Sequence, residues 1–231
     1  MRTGDFGPRH PAPVDEMSND WINRLAVRGP ATEVTSFATA ANDRRLVKRQ
    51  LAKPSRSTST LGLSFRKLLE HVPASVKPRL NSDITEPWDL SIDPVERVKS
   101  GMVERVYRFQ LRHYEPDPLL VEVSRQYPRL CLVLGWVDPN SDDQASRFIH
   151  AGRSSIYRLS QRRKRSFYAG MPKEGDADDA EIFWAHVEAD WAMMDAVVSH
   201  WDKKTATVLH RIAQDTTRSG RQLRHRKRRG S

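Results

Sequence analysis

The stretch Phe109-Gln-Leu-Arg-His-Tyr-Glu-Pro-Asp-Pro-Leu-Leu-Val-Glu-Val-Ser-Arg-Gln-Tyr-Pro-Arg-Leu-Cys-Leu-Val-Leu-Gly-Trp136 decides the fold of this chain. Apolar and polar residues alternate up to His113, and the two prolines that follow end a strand and open a helix. The helix has apolar residues near three-to-four spacing and ends at Pro128. The apolar run Leu130–Trp136 has the length of a buried strand, so the stretch predicts a β-α-β unit.

The same periodicities predict which side chains form the core. A sheet covered by a helix buries alternate strand residues against the apolar stripe of that helix. We expect burial of Phe109, Leu119, Val123, Leu130, Leu132, Leu134 and, from an earlier strand, Leu25 and Val27. The helix between the strands 103–113 and 130–136 also predicts a parallel crossover, usually with another strand inserted between the two.

Toward the N-terminus, a second unit of the same kind is predicted. Residues 1–16 are rich in Gly, Pro and charge, which predicts a disordered N-terminus, and Met17 is the more natural start. We expect a strand over 21–28, a helix capped by Thr32, and a strand at Leu61, Leu63 and Phe65. The basic, Ser/Thr-rich residues 42–60 predict a loop or insertion between them. Pro78 to Ser100 has no sustained period and suggests short helices.

A last strand is predicted over residues 155–163, where apolar and polar residues alternate again. Strands and helices in this order predict an α+β protein: a ferredoxin-like sandwich over residues 17–170, with helices on one face of an antiparallel sheet.

A different pattern fills residues 176–214, which contain neither Pro nor Gly. An apolar stripe at alternating spacings of three and four predicts one long amphipathic helix, or two helices broken near Asp202. The stripe could be a seam for self-association, or it could pack on the open face of the same sheet. Either way, we expect Trp184, Trp191 and Trp201 to be buried. Residues 215–231 are predicted to be a disordered basic tail.

The excess of positive charge is concentrated in two clusters. The formal net charge is +10, and the clusters together hold ten cations. Such localisation favours a polyanion, and therefore nucleic acid, as the partner. The alternatives are a solvated tail and an edge strand whose charges prevent aggregation. The candidate nucleic-acid-binding residues are Arg162, Arg163, Lys164, Arg165, Arg221, Arg224, Arg226, Lys227, Arg228 and Arg229.

Several segments resemble the YubB-like proteins of phages and conjugative plasmids. Asn19-Asp-Trp-Ile-Asn-Arg-Leu-Ala-Val-Arg-Gly29 resembles their opening strand and turn, and Leu63-Ser-Phe-Arg-Lys-Leu-Leu69 resembles the next strand. Phe109–Pro118 resembles their Phe-x-Thr-Ala-Trp-x-Pro-Pro segment, and Val123-Ser-Arg-Gln-Tyr-Pro128 resembles their helix end. The resemblance covers residues 17–170 in patches. It implies a ferredoxin-like fold and a mobile-element origin, and it carries no activity.

Motifs for catalysis or metal binding are weak. Asp138, Asn140 and Asp142 have calcium-loop spacing, but Asp143 and Ile149 stand where Gly and Glu are needed, so a polar turn is favoured. His186 and Asp190 are predicted to form a solvent-facing pair, and Cys131 to be a buried, inert thiol. We predict no catalytic residue, metal or cofactor. A surface cleft near His113, Tyr114 and Asp138 is the best position for an unassigned site.

The sequence therefore predicts a non-enzymatic accessory protein of mobile-element type that binds nucleic acid or a partner protein. The alternative is a small enzyme with its cleft near His113 and Asp138. No run of residues has membrane-spanning length and no secretory signal is visible at the N-terminus, so we expect a cytoplasmic protein without a membrane partner.

Overall fold

The computed structural model describes residues 20–43, 45–46, 62–80, 84–98, 101–112, 116–138, 143–172 and 178–229. For Asp20, Asp89 and residues 218–229 it describes the backbone alone. The predicted disordered N-terminus (1–16), Met17 and most of the insertion predicted at 42–60 lie outside the described residues.

The described residues form an α+β structure. Its strands are β1 (Asp20–Pro30), β2 (Trp88–Ile92), β3 (Glu96–Arg97), β4 (Met102–Arg112), β5 (Cys131–Val137), β6 (Gln144–His150) and β7 (Arg153–Arg158). Its helices are α1 (Ala31–Ala40), α2 (Phe65–Glu70), α3 (Lys77–Leu80), α4 (Asp117–Gln126), α5 (Gln161–Tyr168), α6 (Asp179–Ser199) and α7 (Asp202–Arg229).

All strands belong to one antiparallel sheet in the order β2-β4-β1-β5-β6-β7, with the short β3 also paired to β4. Strand β1 lies between β4 and β5 and is antiparallel to both, so those two strands run parallel to each other. This is the crossover with an inserted strand that the sequence predicted, because α4 connects β4 to β5 on one side of the sheet.

One face of the sheet, called the first face, is covered by α1, α2 and α4. Its core contains every residue that the sequence predicted to be buried around the β-α-β unit: Phe109, Leu119, Val123, Leu130, Leu132, Leu134, Leu25 and Val27. Phe109 packs edge-on against Phe65, with ring centroids 5.8 Å apart. The prediction of this core is confirmed.

The opposite face, called the second face, is covered by α5, α6 and α7. Helix α6 contacts β5 and β6, and its Met194 and Val198 pack over Gly135. Helices thus lie on both faces, whereas the sandwich was predicted with helices on one face. Of the two alternatives for the C-terminal stripe, this part packs on the sheet of its own chain.

The predicted strand at Leu61, Leu63 and Phe65 is wrong, because α2 begins at Phe65. Ser64 caps this helix by accepting a hydrogen bond from the Lys67 N–H. The Glu86 carboxylate accepts further bonds, at 2.8 Å from the Ser64 hydroxyl and 2.9 Å from the Phe65 N–H. A distant carboxylate therefore supports the helix start, and local alternation could not indicate it.

Other boundaries also differ from the prediction. Helix α1 begins after Pro30 with no side-chain cap, so Thr32 is not its cap. Between 78 and 100 the structure has α3 and the edge strands β2 and β3, and β6 was not predicted. The last strand ends at Arg158 instead of 163, because Ser160 caps α5 by accepting from the Arg163 N–H at 3.4 Å.

The C-terminal region holds two helices, α6 and α7, separated at His200 and Trp201. Trp201 is buried and Trp191 half-buried, but the predicted burial of Trp184 is wrong, since 61% of this residue is exposed. The buried residues of α6 begin at Ala189, and the earlier turns, which include Trp184, do not pack on the second-face core. Helix α7 continues to Arg229, past the boundary at 214 where a disordered tail was expected. Within the part of the chain that the structure describes, no helix has the length and apolarity needed to cross a bilayer.

Candidate nucleic-acid interface

A long segment of the sheet and its helices contains no acidic residue. From Gln144 to Pro172 the sequence has neither Asp nor Glu, and this segment forms β6, β7 and α5. Its cations are Arg147, Arg153, Arg158, Arg162, Arg163, Lys164 and Arg165. A region of one sign of charge attracts an oppositely charged polymer over a distance of about a Debye length.

The first basic cluster lies on helix α5. The alternation of apolar and polar residues had wrongly predicted an edge strand there. Arg162, Arg163 and Arg165 are exposed, whereas Lys164 is buried. Lys164 was predicted as a nucleic-acid contact, and its burial removes it from the exposed surface. Helix α5 packs against α6, where the Tyr168 hydroxyl donates to Asp190 at 3.0 Å.

That packing also corrects the predicted pair of His186 and Asp190. The Asp190 side chain is buried and bonded to Tyr168, and is not part of a solvent-facing pair. Burial raises the pKa of Asp190, while the hydroxyl of Tyr168 and the nearby His186 oppose the rise. The hydrogen bond between Tyr168 and Asp190 therefore connects α5 to α6. The arginines of α5 remain exposed.

Strand β7 is an edge strand of the sheet, and its side chains contact residues at and just before the start of α7. Arg153, Ser155 and Tyr157 of β7 lie on the second face of the sheet. The residues between them lie on the first face, as Arg147 of the neighbouring strand does. The Tyr157 ring is stacked on the His200 ring, with centroids 3.7 Å apart and an interplanar angle of 4°. The Lys204 ammonium lies 2.9 Å from the Ser155 hydroxyl oxygen. We call Arg153, Ser155, Tyr157, His200 and Lys204 the β7 strip.

The turn between α6 and α7 is held by buried hydrogen bonds. The Trp201 indole N–H donates to the Ser146 hydroxyl at 2.8 Å, and this hydroxyl donates to the Val197 carbonyl at 2.5 Å. The Lys204 ammonium also lies over the Trp201 ring, 5.0 Å from its centroid. These bonds help to position His200 and Lys204 against β7, because His200 directly precedes the anchored Trp201 and the Lys204 ammonium lies over its ring.

Ion pairs within the described residues neutralise some of the cations of this segment. Arg158 pairs with Asp143 at 2.5 Å, and Arg147 pairs with Asp117 at 3.0 Å. Within the segment 144–172, four exposed arginines have no ion pair with the described residues, and they are Arg153, Arg162, Arg163 and Arg165. Phosphate contacts are best made by such cations, since no carboxylate has to be displaced first.

The two basic clusters lie at opposite ends of the sheet. Helix α5 follows the end of β7, where Arg158 is paired with Ala145 near the start of β6. Helix α7 passes the other end, where Arg129 donates to Thr216 at 2.8 Å. The length of β5, roughly 20 Å, separates these ends. The backbone of residues 221–229 continues α7, and the side chains of its six predicted contacts lie outside what the structure describes.

The predicted cleft near His113, Tyr114 and Asp138 is described only in part, because residues 113–115 and 139–142 lie outside the described residues. Asp138 is half-buried, and its backbone N–H donates to the Asp143 carbonyl at 3.3 Å. A cavity of about 10 Å³ lies close by, lined by Trp21, Asn23, Pro116, Asp117, Leu134 and Trp136. It has room for about one water molecule, so the described part of this region does not accommodate a substrate.

A larger cleft on the second face was not predicted. It has a volume of about 450 Å³ and lies between the end of β1, β4 and the first turns of α7. Arg28 spans it, donating to Glu104 and to Asp202, each at 2.8 Å. Burial opposes the charge of Arg28, but the two carboxylates outweigh it and hold its pKa above the usual value. These partners are more than 70 residues apart in sequence, so no local motif indicates the cluster.

Two further groups have no place in the interface. Cys131 is buried, as predicted, and burial raises the pKa of its thiol to about 12, so it carries no reactive thiolate near neutral pH. Phe183 and Trp184 are exposed side by side on α6, 5.4 Å apart, next to acidic residues of its first turn. That acidic neighbourhood disfavours a polyanion. Among the described residues, no three His, Cys, Asp or Glu side chains are grouped so as to hold a metal ion.

Comparison of the chain with protein-family models, with curated proteins and with solved structures finds no match. The resemblance to the YubB-like proteins therefore stays a prediction from the sequence.

Proposed function

We propose that the protein is a non-enzymatic accessory protein of mobile-element type, and that it binds nucleic acid through the β7 strip and helix α5. The observation that carries this proposal is the set of exposed, unpaired arginines in a segment without acidic residues. Phosphate groups suit such a surface because Arg donates to them bidentately and releases condensed counterions on binding.

The geometry favours an extended ligand. The β7 strip runs along the edge strand, from Arg153 toward α5, over roughly 14 Å. Helix α7 passes the Arg153 end of the sheet, where its Thr216 accepts a hydrogen bond from Arg129. A nucleic-acid strand along this edge would meet cations at successive phosphates, whereas a small anion would use only one of them.

The proposal also includes a ferredoxin-like fold and a mobile-element origin. When α2, α3 and the short β3 are set aside, the order β1-α1-β2-β4-α4-β5 follows the β-α-β-β-α-β arrangement of ferredoxin-like domains, which supports that assignment. The mobile-element origin rests on the resemblance of residues 17–170 to the YubB-like proteins. Neither point bears on how phosphates are bound, so the binding experiment tests the function by itself.

The test is a salt titration of binding to single-stranded and double-stranded DNA of unrelated sequences. Replacing Arg162, Arg163 and Arg165 together by Ala should weaken binding to all of them. If the three side chains contact phosphates, the slope of log affinity against log salt should fall in magnitude by roughly 2 for single strands and by roughly 3 for duplex. The matched control replaces three exposed arginines of another surface, Arg45, Arg66 and Arg79, and removes the same charge.

Equal losses for the two triple variants would mean that net charge, and not this surface, governs binding. No detectable binding by the wild-type chain at low salt would refute the function itself. A chain ending at residue 217 measures the second cluster separately. Six cations lie within residues 221–229, so we expect this truncation to flatten the slope more than the α5 variant does.

A further inference from the structure

The stacked pair of Tyr157 and His200 joins β7 to the turn after α6. Tyr157 is half-buried and belongs to the rim of the second-face core, whereas His200 is exposed. The parallel stack covers one face of the imidazole, and the Trp201 ring meets it at 88°, with centroids 4.8 Å apart. His200 thus remains exposed although two aromatic rings contact it.

The charges around this ring select a particular class of ligand. Lys204 is fixed against Ser155 on the same strip, and Lys203 is exposed beside it. The nearest carboxylate in sequence, Asp202, is directed to Arg28 at 2.8 Å. An exposed flat ring flanked by cations is the arrangement by which proteins hold a base and its phosphates.

We propose that His200 stacks on an unpaired nucleobase, extending the Tyr157–His200 stack to three rings, and that the protein therefore prefers single-stranded nucleic acid. This inference rests on the proposed nucleic-acid binding. In a duplex the base faces are covered by neighbouring base pairs, so a ring can stack only on a base that is unpaired. Lys204 and Arg153 contact the flanking phosphates, and the contact is independent of sequence because every base has a π face.

The experiment compares two ligands of equal charge for the full-length chain: an oligothymidine of about 12 nucleotides and an abasic phosphodiester of the same length. The wild-type chain should bind the oligothymidine about tenfold more tightly, as expected for one stacked base. His200→Ala should abolish this preference and leave the salt slope unchanged. His200→Tyr should keep the preference, because the aromatic ring is retained.

His210→Ala is the matched control, since His210 is an exposed histidine of α7 that is bonded to Gln214 and lies outside the strip. It should retain the full preference. Equal wild-type affinity for both ligands would overturn the stacking inference and leave the function standing, whereas binding of neither ligand would refute the function. If His200→Ala proves unfolded, His200→Tyr decides: a folded variant without the preference overturns the inference.

Discussion

The two faces of the sheet are held to their helices in different proportions of apolar packing and ion pairing. On the first face, α1, α2 and α4 pack through aliphatic and aromatic side chains such as Phe37, Phe65 and Phe109, and Arg147 of β6 adds one ion pair with Asp117 of α4. On the second face, two arginines of β1 meet carboxylates of the C-terminal helices: Arg24 with Asp195, and Arg28 with Asp202. The first face therefore depends mainly on burial of apolar area, and the second on burial combined with a set of ion pairs.

This difference follows from chain connectivity. Helices α1 and α4 directly follow β1 and β4, so they return over the sheet by short crossovers. Helices α6 and α7 reach β1 from about 170 residues away, as the bond from Arg24 to Asp195 shows. Specific ion pairs fix the position of such distant helices, whereas a short crossover already restricts where a helix can lie.

The largest expected effect comes from removing a first-face aromatic side chain. Phe109→Ala should reduce the free energy of unfolding by about 3–5 kcal/mol, because it leaves a cavity beside Phe65 in a fully packed core. Urea denaturation measures this loss. A value below about 1 kcal/mol would mean that the first face is not packed as described.

The second expected effect tests the ion pairs of the second face. Arg28→Met should cost about 2–3 kcal/mol, because Glu104 is left largely buried without its partner. Arg24→Met is the matched control, since its partner Asp195 is 68% exposed, and it should cost less than about 1 kcal/mol. Adding Glu104→Gln to Arg28→Met should recover part of the loss. Equal costs for the two arginine variants would argue against a special role of the Arg28 cluster.

The third expected effect concerns the close approach of α6 to β5. A Cβ added at Gly135 would lie 2.7 Å from both Met194 Sδ and Val198 Cγ2. Met194 can adjust, but the β-branched Val198 cannot, so Gly135→Ala should cost about 1–3 kcal/mol. It should also raise alkylation of Cys131, a second-face thiol that is otherwise protected by burial. Unchanged alkylation alongside lost stability would place the strain elsewhere.

Sequence patterns predicted the first face better than the second because the first face is built from elements that are close together in sequence. The buried residues from Phe109 to Leu134 follow from period, length and proline positions, which are all local. The pairing of Arg28 with Asp202 and the support of α2 by Glu86 depend on residues distant in sequence. The exposed arginines of α5 were identified as a basic cluster, but the helix that presents them was taken for a strand. The stack of Tyr157 on His200 had no local signal.

The smallest expected effect separates two tryptophans that the sequence placed on one buried stripe. Trp201 is 7% exposed and its indole N–H donates to Ser146, so Trp201→Phe should cost about 1 kcal/mol for the hydrogen bond. Trp184 is 61% exposed and precedes the part of α6 that packs on the sheet, so Trp184→Ala should change stability by less than about 0.5 kcal/mol. Thermal unfolding at several protein concentrations measures both. If Trp184→Ala destabilises the chain more at high concentration than at low, Trp184 is buried by a second molecule, because only an intermolecular contact makes stability depend on concentration.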